Sequence, residues 1–258
     1  MNWNKMNLER ETDLSIFSET MVEMTWQEVE NAAKDNSVVL LPIGIVEAHG
    51  PHMDLSADVY CSYLFCKLLN RKLKSKNMKS IVAPPFYWGV AKDTHKYAGT
   101  FSVRPETMKS LLIDIYASLD MWGFKNVFIV NCHGDHTHIE MIDSSIEEAA
   151  KTFKIKVYQL GNISIDSENA PVFPAQREDR FQPDYHAGAV ETAFMHAFYP
   201  DKVNVSAAKK LKPQNSFDPF AYCGDPANYD LEGDVFEFWE ADLETDSLKI
   251  ESVLKKNS

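Results

Sequence analysis

Residues 38–43, VVLLPI, form an unbroken apolar run, after which the chain reads EAHGPHMDLSAD at residues 47–58. A short apolar run of this length predicts a strand that is buried on both faces. The second stretch holds two imidazoles and three carboxylates. Carboxylates and histidines without thiolates are typical of sites for zinc, manganese or iron. The sequence therefore predicts a buried strand that ends at a metal site, as in an enzyme.

Strand and helix patterns alternate along the rest of the chain. Strands are predicted at residues 38–43, 80–83, 126–130 and 155–160, and helices at residues 25–33, 58–73, 105–121, 138–153, 187–198 and 242–255. This alternation predicts an α/β fold with a mostly parallel central sheet and helices on both faces. At this length we expect residues 1–258 to form a single domain. Ligands of such folds bind outside the carboxyl ends of the strands, where the polar stretches should meet.

The composition narrows the class of protein. The net charge of -12 argues against a nucleic-acid binder, which would need a basic face. No apolar stretch has the roughly 18 residues of a membrane span, and residues 1–20 lack the apolar core of a signal peptide. The four cysteines form no CxxC pair. We therefore expect a cytoplasmic protein whose partner is a small-molecule substrate, without nucleic acid or membrane.

The first candidate ligands are Glu47, His49 and Asp58. Residues two apart in an extended segment face the same side, so Glu47 and His49 can address one metal or two adjacent metals. Asp58 opens the next predicted helix, and its two oxygens can bridge two cations; the alternative is that it only caps the helix. We expect His52 beside the metals or the substrate rather than as a ligand, and Asp54 has a weaker claim of the same kind.

The second group is NCHGDHTH at residues 131–138, where a predicted buried strand runs into His133. We interpret His133 as a ligand, and Asp135 is a further candidate. Asn131 can hold the ligand in orientation by hydrogen bonding to neighbouring loops. For His136 and His138 we favour a partly exposed helix N-terminus over a place in the metal cluster.

The third group is HAGAVET at residues 186–192. Glu191 falls inside a helix with apolar neighbours, where a lone charge is costly unless it is paired, and a metal would remove that cost. His186 precedes the helix and can serve as an acid or a base. The alternative is a capping histidine and an exposed glutamate. In a fourth segment, at residues 89–100, His95 and Thr100 are candidates for lining the pocket.

These motifs resemble those of the creatininase family, also called creatinine amidohydrolases. The resemblance rests on LPIGxxExHGPH at residues 41–52 with Asp58, on GT at 99–100, on NCHG at 131–134 and on HAGxxET at 186–192, all in the expected order. It implies a three-layer α/β/α fold and a homo-oligomer, often a hexamer. It also implies a hydrolase site with two divalent metal ions per chain, with zinc favoured and manganese or iron as alternatives.

The resemblance also assigns residues. It implies that one metal is held by Glu47, Asp58 and His133. The other is held by His49 and the shared Asp58, and an acidic side chain completes that site. Two residues can supply this side chain, Asp135 and Glu191, and we expect Glu191. His186 corresponds to the catalytic histidine of the family, and we predict that Glu191 acts beside it in catalysis.

The implied reaction is hydrolysis of a C–N bond, in a cyclic or small non-peptide amide, by a metal-activated water. Two alternatives remain open at this point. One is a ring-opening hydrolase of a cyclic ketone of the keto-inositol type at the same metals, and the other is a metal-dependent binding protein without catalysis. The tryptophans that enclose the substrate in creatininase proper have no counterpart in residues 161–185, which disfavours creatinine itself.

Overall fold

The computed structural model describes residues 15–162, 184–229 and 234–256. Four parallel strands form one sheet in the order β2-β1-β3-β4. The strands are β1 (Val38–Ile43), β2 (Ser80–Val82), β3 (Asn126–Asn131) and β4 (Lys156–Gln159). In the register of the sheet, Leu40 of β1 is paired with Val82 on one side and with Phe128 on the other. The strand quoted first, β1, is therefore central, and all six of its residues are buried.

Helices cover both faces of the sheet. They are α1 (Trp26–Lys34), α2 (Ala57–Ser75), α3 (Pro105–Met121), α4 (His136–Thr152), α5 (Ala189–Phe198), α6 (Val205–Ala208) and α7 (Asp234–Lys256). On one face, Leu40 and Phe128 pack against α2, α5 and α7. On the other face, Leu41 and Ile129 pack against α1, α3 and α4. Successive strand residues thus pack into two separate hydrophobic cores, one on each face of the sheet. The predicted three-layer α/β/α fold is confirmed.

Helices α4 and α5 begin at residues other than the predicted ones, because a capping side chain and the local backbone conformation set their first turns. Helix α4 begins two residues before the predicted start, because the Asp135 carboxylate caps it by accepting from the His138 amide at 3.1 Å. Helix α5 begins two residues late, because Ala187 has a φ of +50° and Gly188 is extended. Both shifts fall at segments that carry candidate site residues.

Two further expectations from the sequence concern the stretch at residues 161–185 and helices that could cross a membrane. The loop-rich stretch at residues 161–185, which lacks tryptophan, lies mostly outside the described residues. In the described ranges, no helix combines the length and the apolar character that crossing a membrane would require.

Candidate metal centre

The predicted ligand segments lie together at the carboxyl ends of β1 and β3. Ile43 is paired with Asn131 across the two strands, and the Cys132 amide donates to the Ile43 carbonyl at 3.2 Å. The segments that follow these strands therefore start from the same point of the sheet. Gly44 lets α2 approach this point, since a Cβ there would lie only 2.5 Å from the Asp58 carbonyl oxygen.

Glu47, Asp58 and His133 form the first convergent group. His133 Nδ1 lies 2.9 Å from Glu47 Oε2 and 3.1 Å from Asp58 Oδ2, and all three residues are buried. The other nitrogen of the ring, Nε2, lies 2.9 Å from the Val90 carbonyl, to which it donates. This bond directs the lone pair of Nδ1 at the two carboxylates. Atoms bound to one zinc ion at about 2.0–2.2 Å have separations of this size.

His49, Asp58 and Glu191 form the second convergent group. His49 Nε2 lies 3.2 Å from Asp58 Oδ1 and 3.8 Å from Glu191 Oε2. His49 Nδ1 lies 3.1 Å from the Glu47 carbonyl, so this ring is also oriented by a backbone acceptor. Asp58 belongs to both groups and turns one oxygen toward each histidine. Asp58 does not cap α2, since Ser56 occupies the N-cap position.

The donor atoms fit divalent cations. Glu47 Oε2, His49 Nε2 and Asp58 Oδ2 are buried and have no hydrogen-bond partner within the described part of the chain. Buried polar atoms without partners are costly, and several at one point indicate an ion that satisfies them. The oxygen and imidazole donors, with no thiolate among them, suit zinc, manganese or iron.

The electrostatics of the cluster also favour cations. Burial opposes protonation of His49, but the carboxylates of Asp58, Glu191 and Glu47 outweigh it and raise the pKa of His49 to about 10. Burial likewise opposes protonation of His133, yet Asp58 and Glu47 raise its pKa to about 11. A field that retains protons so strongly would also retain divalent ions. Cation binding would then release these protons, because a coordinating imidazole nitrogen must be deprotonated.

Thr94 supports the first group and was missed by the sequence analysis. It is fully buried, and its hydroxyl donates to Glu47 Oε1, which leaves Glu47 Oε2 facing His133. The segment that contains Thr94 also contains His95 and Thr100, the two residues expected to line the pocket. Of these two, Thr100 contacts the segment that carries Glu47 and His49. Thr100 Oγ1 accepts from the Ala48 amide at 2.9 Å. His95 is exposed and bonds to the carbonyl of Lys92, so it does not line the cluster.

Thr94→Val should weaken metal binding while the fold is kept, because it removes the hydroxyl that orients Glu47 and preserves the side-chain shape. Loss of such an outer partner costs about 10–100-fold in metal affinity. Equilibrium dialysis against Zn²⁺ measures this change, and Thr94→Ser is the matched control because it keeps the hydroxyl. Equal affinities for Thr94→Val and the wild-type protein would contradict this role.

Asp135 lies apart from the convergent groups. Its Oδ2 accepts from the Lys92 amide at 2.6 Å and its Oδ1 from the His138 amide, so both oxygens are bound to backbone. The two histidines of this turn also differ from each other. His136 is exposed, as predicted, whereas His138 is fully buried and its Nδ1 accepts from the Val90 amide at 3.2 Å. The expectation of partial exposure was therefore wrong for His138, because the ring fills the space beside Gly89.

His186 lies beside the second group, and with Glu47 and His49 it forms a third group whose donor atoms could hold an ion. Its Nε2 lies 2.8 Å from the Ala48 carbonyl, and its ring centroid is 4.3 Å from that of His49. An antiparallel bridge to Cys223 fixes the backbone of His186. Because Nε2 is held by a carbonyl, Nδ1 is the ring atom that can exchange a proton.

Asp184 fixes the start of α5 and was also missed by the sequence analysis. Its carboxylate accepts from the Ala189 amide at 2.8 Å and from the Val190 amide at 3.0 Å. Any side chain at Gly188 or Gly224 would collide with this carboxylate. The sequence carried no capping signal for this contact, because Asp184 lies four residues before Gly188, which occupies the N-cap position.

His52 lies against α5, as expected for a residue near the site. Its Nε2 is 2.8 Å from Thr192 Oγ1, and both side chains are buried. Burial lowers the pKa of His52 to about 4, with a further contribution from the charges of His49 and His186. His52 is therefore neutral, and it belongs to none of the convergent groups of the described residues.

Comparison with known proteins agrees with this geometry. The creatininase family (creatinine amidohydrolase) matches the chain over residues 22–233. A creatinine amidohydrolase of Pseudomonas putida is 25% identical over 248 residues, which cover 89% of this chain and 90% of that enzyme. The crystal structure of a creatinine amidohydrolase superposes with a TM-score of 0.64 at 24% identity, covering 93% of this chain and 98% of that chain.

Two further groups of relatives are named for other reactions. A 3-dehydro-scyllo-inosose hydrolase of Thermotoga maritima is 25% identical over 82% of this chain and 62% of that enzyme. A mycofactocin precursor peptide peptidase of Mycolicibacterium smegmatis is 26% identical over 64% of this chain and 60% of that protein. The chain thus spans less than two thirds of either protein. The match to the family nevertheless extends over most of the sequence, so this chain belongs to the creatininase family of metal-dependent hydrolases.

Proposed function

We propose that this protein hydrolyses a C–N bond in a small, non-peptide amide, using two divalent metal ions per chain. The observation that carries this proposal is the arrangement of the two histidines. His49 and His133 are each held by a backbone carbonyl on one nitrogen, while the other nitrogen faces the carboxylate of Asp58. An aspartate that faces two oriented imidazoles could offer one oxygen to each of two cations.

The proposed ligands divide into two sets. Glu47, Asp58 and His133 would hold one ion, and His49, Asp58 and Glu191 would hold the other. Of the two acids that remained open in the sequence, we assign Glu191, because it faces His49 Nε2 at 3.8 Å and accepts from one backbone amide, whereas both oxygens of Asp135 accept from backbone amides. Named relatives support divalent ions in general, since solved creatininase structures include a manganese form and a Zn–Zn form. We favour zinc, with manganese or iron as alternatives.

The residues around the ions have separate tasks in this mechanism. Two bound divalent ions would supply Lewis acidity and lower the pKa of a water at the site. Glu191 is the most exposed of the proposed ligands, with 34% of its side chain accessible, so its side of the cluster faces the substrate. His186 Nδ1 would accept a proton from the attacking water and return it to the departing nitrogen. Its Nε2 bond to the Ala48 carbonyl keeps the ring in one orientation for both transfers.

One other reaction is favoured by a specific relative. The Thermotoga maritima protein is named a 3-dehydro-scyllo-inosose hydrolase, and a ring-opening hydrolysis of a cyclic ketone would require the same activated water. The two reactions differ in their products. Amide cleavage releases an amine or an amino acid, whereas ring opening of a ketone leaves nitrogen out of the reaction altogether.

The test is a screen of lactams, formamides, small peptides and cyclic polyol ketones with protein loaded with Zn²⁺ or Mn²⁺. We expect turnover of one small amide, which a chelator abolishes and added metal restores. His133→Ala should lower this turnover by at least about 100-fold, since loss of a ligand exceeds loss of an outer partner. His136→Ala, an exposed histidine of the same turn, is the matched control. Turnover confined to the ketones would instead establish the ring-opening reaction.

A homo-oligomer, often a hexamer in this family, stays a prediction that rests on the resemblance alone. Sedimentation equilibrium of the metal-loaded protein measures the assembled mass. A single species at the mass of one chain would contradict it.

A further inference from the structure

His52 and Thr192 form a buried polar contact between the loop after β1 and helix α5. The distance from His52 Nε2 to Thr192 Oγ1 is 2.8 Å, across 140 positions of the sequence. His52 is 1% exposed and Thr192 is not exposed at all. The mechanism described above gives neither residue a task.

The histidine end of this contact is firmly held. The His52 carbonyl accepts from the Asn204 amide at 2.7 Å, and the Gly50 amide donates to the Ala221 carbonyl at 2.8 Å. Gly50 has a φ of +66°, and a Cβ there would lie 2.7 Å from His52 Nδ1. The turn at Gly50 therefore packs closely against the imidazole of His52 and restricts the orientation of the ring.

Thr192, at the other end of the contact, directly follows Glu191, which is the most exposed of the proposed ligands. The side chains of Glu47, Asp58, His49 and His133 are at most 4% exposed, whereas Glu191 is 34% exposed. Glu191 is also the farthest from its histidine, at 3.8 Å. It lies in the first turn of α5, which follows a strained residue, Ala187, with a φ of +50°. Glu191 Oε2 also accepts from the Ala187 amide, so the position of this carboxylate depends on how the first turn of α5 is held.

We propose that His52 and Thr192 are positioning residues, which fix the first turn of α5 so that Glu191 reaches the second cation. This inference rests on the proposed two-ion site. The contact joins α5 directly to the loop that carries His49, the other ligand on the same side of Asp58. Breaking it should therefore affect the ion held by His49 and Glu191, and leave the ion held by Glu47 and His133.

The experiment measures the two Zn²⁺ affinities of the purified full-length protein by competition with a chromophoric chelator. Thr192→Val removes the hydroxyl and keeps the shape, whereas Thr192→Ser keeps the hydroxyl. We expect Thr192→Val to weaken the second ion by about 10–100-fold, with the first ion unchanged and Thr192→Ser close to wild type. Glu191→Gln gives the reference for complete loss of the second site.

Other outcomes separate this inference from the proposed function. If wild-type protein binds fewer than two ions, the two-ion site itself is wrong. If it binds two and Thr192→Val keeps both affinities, only the positioning role is wrong. A purely structural contact would lower the melting temperature of the metal-free protein or weaken both ions equally, and either result without selective loss of the second ion overturns the proposal.

A second pair of variants covers the case in which Thr192→Val does not fold. His52→Leu removes the polar partner, and His52→Gln retains a nitrogen donor at a similar reach. Selective loss of the second ion in His52→Leu, with recovery in His52→Gln, supports the proposal. Equal behaviour of the two variants overturns it.

Discussion

Asp58→Asn is expected to abolish tight binding of both divalent ions. Asp58 is the residue shared by the two convergent groups, with Oδ1 at 3.2 Å from His49 Nε2 and Oδ2 at 3.1 Å from His133 Nδ1. The substitution keeps the size of the side chain but removes its charge and replaces one oxygen by an N–H donor. Each ion would then lose a ligand, and the cost should exceed the roughly 100-fold that loss of an outer partner can reach.

Metal content per chain, measured by mass spectrometry on gently purified protein, tests this expectation. We expect about two ions in the wild-type protein, as in other two-metal hydrolases, and fewer than about half an ion in Asp58→Asn. Asp54→Asn is the matched control, since Asp54 is an exposed aspartate of the same segment and is bound to Ser56 and Lys202. It should keep the wild-type content.

The two possible results for Asp58→Asn differ clearly. Loss of both ions with an unchanged circular dichroism spectrum would establish Asp58 as the shared ligand. Retention of one ion would show that the two groups bind independently, and the bridging role would then be wrong. No bound metal in the wild-type protein, even after addition of zinc or manganese, would show that the proposed ligands do not form a metal site.

Glu191→Gln and Asp135→Asn should separate the two acids that the sequence left open. Glu191 Oε2 faces His49 Nε2, whereas the oxygens of Asp135 accept from the amides of Lys92 and His138. We therefore expect Glu191→Gln to lose one of the two ions and to lower turnover by at least about 100-fold. Asp135→Asn should keep both ions and lose stability instead, by about 1 kcal/mol, because its single amide oxygen cannot accept from both backbone amides that Asp135 binds.

Metal content and thermal unfolding of the metal-free protein form a crossed test of the two variants, because a bound ion would itself raise the melting temperature. Each variant should change one quantity and spare the other, so a general loss of folded protein cannot produce the expected pattern. Loss of one ion in Asp135→Asn, with two retained in Glu191→Gln, would reverse the assignment of the second site. Glu240→Gln, an exposed glutamate of α7, controls for the removal of negative charge.

Much of the fold could be predicted from the chain because its two inner strands, β1 and β3, are built on continuous apolar runs. VVLLPI at β1 is apolar at every position, and a strand of this kind must have helices on both faces. The ends of α4 and α5 could not be predicted as well. Asp135 caps one helix and the positive φ of Ala187 delays the start of the other, and hydrophobic periodicity reports neither effect.

The candidate site shows the same division. Glu47, His49, Asp58 and His133 could be selected from the sequence, since they follow strands whose carboxyl ends must share one edge of the sheet. Thr94 could not be selected, because a threonine in a loop carries no signal of its own. Its role exists only because the chain folds back and places its hydroxyl on Glu47.

By itself, the sequence predicted the layered α/β architecture, a metal site and most of the donors proposed for it, because periodicity and ligand spacing are local properties of the chain. The tertiary structure alone set Asp135, whose oxygens accept from backbone amides, apart from Glu191, which faces His49, and it alone buried His138 and joined His52 to Thr192. Those outcomes depend on distances between segments far apart in sequence. Such distances are set by the packing of α2, α4 and α5 around the sheet, which no single segment encodes.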